Sequence, residues 1–266
     1  MNHDDVGTAI QSTLATIERD EHVRVCLAVE SGSRAWGFPS ADSDYDVRFV
    51  YVRPQEWYLS IDLESKADTI ERPAVGALDL SGWDIRKALR LFRKSNPPIL
   101  EWLQSPTVYR DVGAFATELR ARLTSFYSPR ACAFHYWHMA QGNVRGYLQG
   151  DVVWRKKYLY VLRPLLALRW IAAARGPVPM EFRRLVDATI VEPDVKNAIS
   201  ALLAAKTAGS DLERGPRIAT ISEFIEHEMV RIEATVRSAP PPACAEDDLD
   251  LVFRRVLGEA WEKPAY

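Results

Sequence analysis

The segment Ser31-Gly32-Ser33-Arg34-Ala35-Trp36-Gly37-Phe38-Pro39-Ser40-Ala41-Asp42-Ser43-Asp44-Tyr45-Asp46-Val47-Arg48-Phe49-Val50 joins a turn of small residues to three aspartates and then to an apolar strand. Asp44 and Asp46 stand two apart at the mouth of that strand, where alternate side chains share a face. Two carboxylates on one face repel each other unless water or a cation intervenes, and hard oxygen ligands at this spacing suit Mg²⁺ or Mn²⁺. The Gly32-Ser33 turn follows a strand ending near Glu30. A short helix beginning at Ser33 would aim free N–H groups at whatever the aspartates hold, and a polyphosphate bridged by metal meets both demands. Asp-x-Asp pairs also cap ordinary turns, and Asp42 is read as a residue of that kind.

Outward from this segment, Val6, Ile10, Leu14 and Ile17 recur at helical spacing, so the chain opens with an amphipathic helix over 5–20. Val23, Val25, Leu27 and Val29 alternate as a strand does, and 46–52 forms a second, more continuously apolar strand. A third strand is expected at 75–80, preceded by a weaker one at 67–72. Ser81-Gly82-Trp83-Asp84 fits a capping box opening a helix through Ile85, Leu89 and Phe92, which Asn96-Pro97-Pro98 stops.

Beyond residue 110 the periodicity is helical throughout, over 112–126, 129–148, 154–175, 179–188, 193–207 and 219–237, and no further strand is expected. Pro164 predicts a kink or break inside the third of these. Pro240, Pro241 and Pro242 mark a semi-rigid linker before a last helix over 246–261. The expected fold class is α+β: a mixed-sheet domain over 1–110, an all-helical domain over 111–238, and a linker with a C-terminal helix over 239–266.

Composition narrows the function classes. The 266 residues are 47% hydrophobic and 26% charged, with a formal net charge of −2, so there is no global attraction to polyanions and a nucleic-acid partner needs a local basic patch. Between Asn143 and Leu185 there are nine Lys/Arg against two Asp/Glu, which supplies one. Cys26, Cys132 and Cys244 are too scattered for a disulfide framework or a thiolate zinc site, as expected in a reducing cytoplasm. No apolar run is long enough to span a bilayer. His135 and His138 sit among Phe134, Tyr136, Trp137 and Met139, the pattern of a packing face rather than a metal site.

A Gly-Ser turn after one strand, a spacer, and Asp-x-Asp opening the next strand resembles the DNA polymerase β-like nucleotidyltransferases. More narrowly, "SGSRAWGF", "DSDYDVRFVYV", "SGWDIRKALRLFRKSNPPILEWLQSP" and "YVLRPLLALRW", spread over residues 25–185, are similar to the RNA repair pathway DNA polymerase β family. The resemblance implies a polymerase β palm-like domain, an NTP substrate and release of pyrophosphate. It implies that Gly32 and Ser33 hold the nucleotide phosphates, that Asp44 and Asp46 bind the metal ions, and that a third carboxylate lies nearest the attacking hydroxyl. Asp79 is the better placed candidate for that role and Asp84, a capping residue, its rival.

Arg34, directly after Ser33, is either a phosphate donor or a surface arginine. Arg48, in phase with Asp44 and Asp46, either shares their face or neutralises them. Trp36 either stacks on a base or packs the turn down, and packing is favoured. Similarity to related nucleotidyltransferases assigns Lys156, Lys157, Tyr158 and Arg163 to nucleotide binding, with Lys156 and Arg163 on one helix face beside Tyr160; the alternative is a solvated face of a core helix. Three acceptors stay open: an RNA 3′ end, tRNA-like or broken; a protein hydroxyl; or a small molecule. A catalytically silent nucleotide sensor is the non-enzymatic alternative.

Overall fold

The computed structural model of the protein describes residues 3–209, 212–238 and 248–262. The first half runs α1 (His3–Glu21), β1 (Arg24–Glu30), α2 (Gly32–Ala35), β2 (Tyr45–Val52), α3 (Gln55–Tyr58), β3 (Thr69–Val75), β4 (Leu78–Asp84), α4 (Ile85–Arg93), α5 (Pro97–Trp102) and β5 (Val108–Asp111). The second half runs α6 (Phe115–Phe126), α7 (Pro129–Tyr147), β6 (Val152–Trp154), α8 (Tyr158–Ala172), α9 (Phe182–Thr189), α10 (Pro193–Thr207), β7 (Arg214–Pro216), α11 (Ala219–Ser238) and α12 (Leu249–Trp261). The linker expected at 239–242 lies outside the described residues.

Five strands form one mixed sheet in the order β3-β4-β2-β1-β5, with β2 and β4 parallel and the other pairs antiparallel. The apolar stripe of α1, Val6, Ile10, Leu14 and Ile17, covers one face and packs with Val47, Phe49, Tyr51 and Leu80. Val50 and Val52 face the other way, into the core shared with the second half. Strand alternation therefore places Asp46 and Arg48 on the face turned toward the helices, and Asp79, alternating with Leu78 and Leu80, on the same face.

Three local readings are corrected. The even alternation of Val23, Val25, Leu27 and Val29 is broken by a bulge between Val25 and Leu27, so the first two lie under α1 and the last two on the opposite face. The third and fourth strands run longer than expected, over 69–75 and 78–84, and Ser81-Gly82-Trp83 belongs to β4 rather than to a capping box. Gly82 is a packing glycine: it pairs with Phe49, and a Cβ there would stand 2.1 Å from the Phe49 ring. Asp84 itself is the N-cap of α4, accepting the Arg86 N–H at 2.8 Å, so its capping role stands at a different position in the motif.

The second half is not wholly helical. Two unexpected three-residue strands, β6 and β7, pair antiparallel, and β5, also unforeseen, closes the edge of the main sheet beside β1. Pro164 does not break α8, which is continuous over Tyr158–Ala172. A proline there removes the N–H that would bond the Tyr160 carbonyl. The Asn143 side-chain amide from α7 donates to that carbonyl at 2.9 Å and replaces the lost bond. Apolar residues from the sheet, α4, α7, α8, α11 and α12 share one core that crosses residue 110.

Candidate active site

The segment between β1 and β2 wraps around one carboxylate. Ser31 donates its N–H to the Asp46 carbonyl at 2.8 Å, and Asp46 donates its own N–H to Glu30 Oε1 at 2.9 Å. Gly32 opens α2, one residue earlier than expected, with φ of +59°, a left-handed conformation that glycine adopts without steric cost. Its Cα hydrogen faces Asp46: a Cβ there would lie 2.0 Å from Asp46 Oδ2. Ser33 is buried behind it. Glycine is required here by positive φ and close approach together.

Asp46 and Asp79 are direct register partners on the parallel strands β2 and β4. Arg48 bridges them, its Nη2 donating to Asp46 Oδ1 at 3.1 Å and to Asp79 Oδ2 at 2.7 Å. Burial raises the Asp46 carboxyl above its ordinary range; the Arg48 charge opposes the shift, while Asp79 and Asp44 add to it. Asp44 is exposed at the rim, and Asp42, also exposed, bonds Ser40 rather than facing the pair. Asp84 lies on β4 at the level of Tyr51, five register steps from the Asp46–Asp79 pair, and accepts the Tyr58 hydroxyl at 2.8 Å.

Asp44, Asp46 and Asp79 offer only oxygen donors, the chemistry a hard divalent cation requires. Among the described residues no three acidic, histidine or cysteine side chains are gathered closely enough to hold a metal ion, and the cation held between Asp46 and Asp79 is Arg48.

Arg34 is held by the backbone of the aspartate loop. Its Nε donates to the Asp44 carbonyl at 3.1 Å, its Nη2 to the Ser43 carbonyl at 2.8 Å, and the guanidinium stacks 3.7 Å above the Tyr45 ring. It ties the aspartate loop to α2. Trp36 packs: its ring meets Phe38, the edge of Tyr160 at 5.6 Å, and the Arg163 guanidinium at 4.6 Å.

From the helical half, Tyr160 approaches the carboxylates closely enough for the Asp46 and Asp44 charges to add to the rise that burial imposes on its hydroxyl pKa. Lys157 Nζ stands 4.5 Å from the Tyr160 ring and 4.7 Å from that of Tyr147. Lys206 on α10 joins Lys156 and Lys157. Its Nζ reaches Ser40 Oγ at 3.5 Å, and burial lowers its pKa, opposed by Asp42 and reinforced by the two lysines. The sequence carried no signal for Lys206, which lies outside the basic concentration over 143–185 on a helix read only from its periodicity.

Two residues assigned to the nucleotide lie elsewhere. Tyr158 is fully buried, its hydroxyl 2.6 Å from Ser222 Oγ and accepting the Ile218 N–H at 3.2 Å. Arg163 is buried as well, paired with Glu101 at 3.0 Å beneath Trp36. Lys156 precedes α8 in a 3₁₀ turn, so the shared face expected for Lys156 and Arg163 does not form.

The family model described as RlaP, RNA repair pathway DNA polymerase beta family, matches residues 6–255, well beyond the stretch over 25–185 that carries the resemblance. The uncharacterized protein YcgL of Bacillus subtilis (strain 168) is 46% identical over 250 residues, 94% of this chain and 95% of that one. A nucleotidyltransferase-like protein from Exiguobacterium sibiricum 255-15, solved as a crystal structure, aligns with a TM-score of 0.33 at 15% identity, over 86% of this chain and 75% of its own. Among the described residues no helix is long and apolar enough to cross a membrane.

Proposed function

Because the chain belongs to the RNA repair pathway DNA polymerase beta family, we propose that it is a metal-dependent nucleotidyltransferase that moves an NMP from an NTP to the hydroxyl of an RNA 3′ end. The observation that carries this reading is the register of Asp46 with Asp79, set against the Gly32 backbone. Gly32 and Ser33 receive the β and γ phosphates, and Lys157 and Lys206 balance their charge from the helical side. Mg²⁺ or Mn²⁺ held by Asp44, Asp46 and Asp79 would neutralise charge on the phosphates. The acceptor oxygen bonds the α-phosphorus as the bond to the α–β bridging oxygen breaks; its proton passes toward Asp79 and pyrophosphate leaves. Rate enhancement rests on positioning and charge neutralisation.

The test is pyrophosphate release from each NTP with RNA ends, proteins and small-molecule hydroxyls as acceptors. Release by the wild type that falls ~10²–10³-fold in Asp46→Asn supports the reading, on the scale of removing one transition-state stabiliser. Equal inertness of both proteins across that panel refutes it. Neutralisation of the carboxylates by Arg48 favours one alternative, a silent nucleotide sensor, which calorimetry would reveal as tight NTP binding without turnover.

A further inference from the structure

Arg48 occupies the position from which a cation would serve both strands. It lies two residues after Asp46, hence on the same face of β2, and the register of β2 with β4 brings Asp79 to the same guanidinium. Asp46 Oδ1 accepts from Arg48, and Oδ2 lies close against the Gly32 backbone. On the nucleotidyltransferase reading above, on which this step rests, these oxygens must also serve a divalent ion.

We infer that Arg48 is the resident counter-cation of the Asp46–Asp79 pair, and that a divalent ion binds there only by displacing its guanidinium, so that Arg48 sets the metal concentration at which the site loads. A divalent ion such as Mg²⁺ needs its oxygens at roughly 2.0–2.1 Å in near-octahedral array, which leaves no place for N–H donors on the same lone pairs. Displacement is a movement of the side chain, and the 21% exposure of Arg48 leaves it a path to solvent. The weak hydration of a guanidinium suits it to this half-buried post, where the single nitrogen Nη2 reaches both carboxylates.

Mn²⁺ alone, titrated into the full chain with free Mn²⁺ read by electron paramagnetic resonance, tests the inference without any turnover. Arg48→Met is expected to bind Mn²⁺ tighter than the wild type by about tenfold or more. Arg48→Lys, which keeps the charge as a more strongly hydrated and so more easily displaced ammonium, is expected to bind tighter as well, and it also serves if the methionine variant fails to fold. Adding Asp46→Asn to either variant is expected to abolish the gain. A gain in Arg48→Met with none in Arg48→Lys would mean that the field of the charge acts rather than occupancy, and would overturn the inference. Unchanged, weaker or undetectable binding in both variants, or a gain that survives Asp46→Asn, overturns it too. Pyrophosphate release is measured separately: a protein with the expected Mn²⁺ pattern and no release keeps this inference and loses the enzymatic reading.

Discussion

Gly32 and Asp46 are in contact: the glycine Cα lies against the Asp46 carboxylate, and a Cβ at residue 32 would stand 2.0 Å from Oδ2. The turn and the first paired carboxylate are thus one unit, tied further by the Ser31 N–H on the Asp46 carbonyl. Gly32→Ala is expected to lose about 1–2 kcal/mol from the left-handed backbone alone. It also displaces the carboxylate, and a misplacement of about 1 Å costs roughly 10²-fold in rate. Denaturant unfolding and pyrophosphate release measure the two effects; a variant with normal stability and normal release would refute the close packing.

Arg163 is a buried partner of Glu101, whereas Lys206 reaches the loop that carries the aspartates. The Arg163 side chain is 2% exposed and Glu101, its partner, 12%. Removing one member of a buried pair leaves the other charge uncompensated, so Arg163→Met is expected to cost about 3–5 kcal/mol of stability. Lys206→Ala is expected to leave the unfolding midpoint nearly unchanged and to raise the KM for the nucleotide. The reverse pattern would return Arg163 to the substrate.

Asn143 and Pro164 form a compensated pair. Asn143→Ala leaves the half-buried Tyr160 carbonyl without its side-chain donor, at a cost of roughly 1 kcal/mol. Pro164→Ala restores the backbone N–H, so the double variant is expected to recover most of that loss. A double-mutant cycle in urea reads the coupling, and additive losses would show that the amide bond does not compensate for the proline.

Glu30, buried beneath the turn, has its carboxyl raised above the ordinary 4.5, chiefly by burial; hydrogen bonds from the Tyr109 hydroxyl and the Asp46 N–H oppose the shift. A raised value means that the folded protein holds this proton more tightly than the unfolded chain. The contribution is present in full below pH 4.5 and is lost as pH rises from 4.5 through the folded value. Glu30→Gln keeps an acceptor for the Asp46 N–H and titrates nothing. Its stability relative to the wild type is expected to climb over that window, as read by urea unfolding from about pH 4 to 7; a flat difference would show that Glu30 is not desolvated.

What the sequence by itself determined is what depends on near neighbours. Gly32-Ser33, Asp44 and Asp46 were legible because turn, spacer and alternating carboxylates fall within one short segment, and α1 and the long helices because their periods repeat locally. The tertiary structure decided everything that needs a partner from far along the chain. Gly82 reads as part of a capping box until Phe49 is seen against it, and β5, β6 and β7 are too short for a period to show. Tyr158 and Arg163 look like surface residues until Ser222 and Glu101 bury and pair them. Asp79 belongs with Asp46 only through the parallel register of β2 and β4, and Lys206 reaches the aspartate loop only through the packing of α10. Hydrophobic periodicity states that a side chain has a face; which groups occupy that face is set by long-range packing and register, which no local pattern encodes.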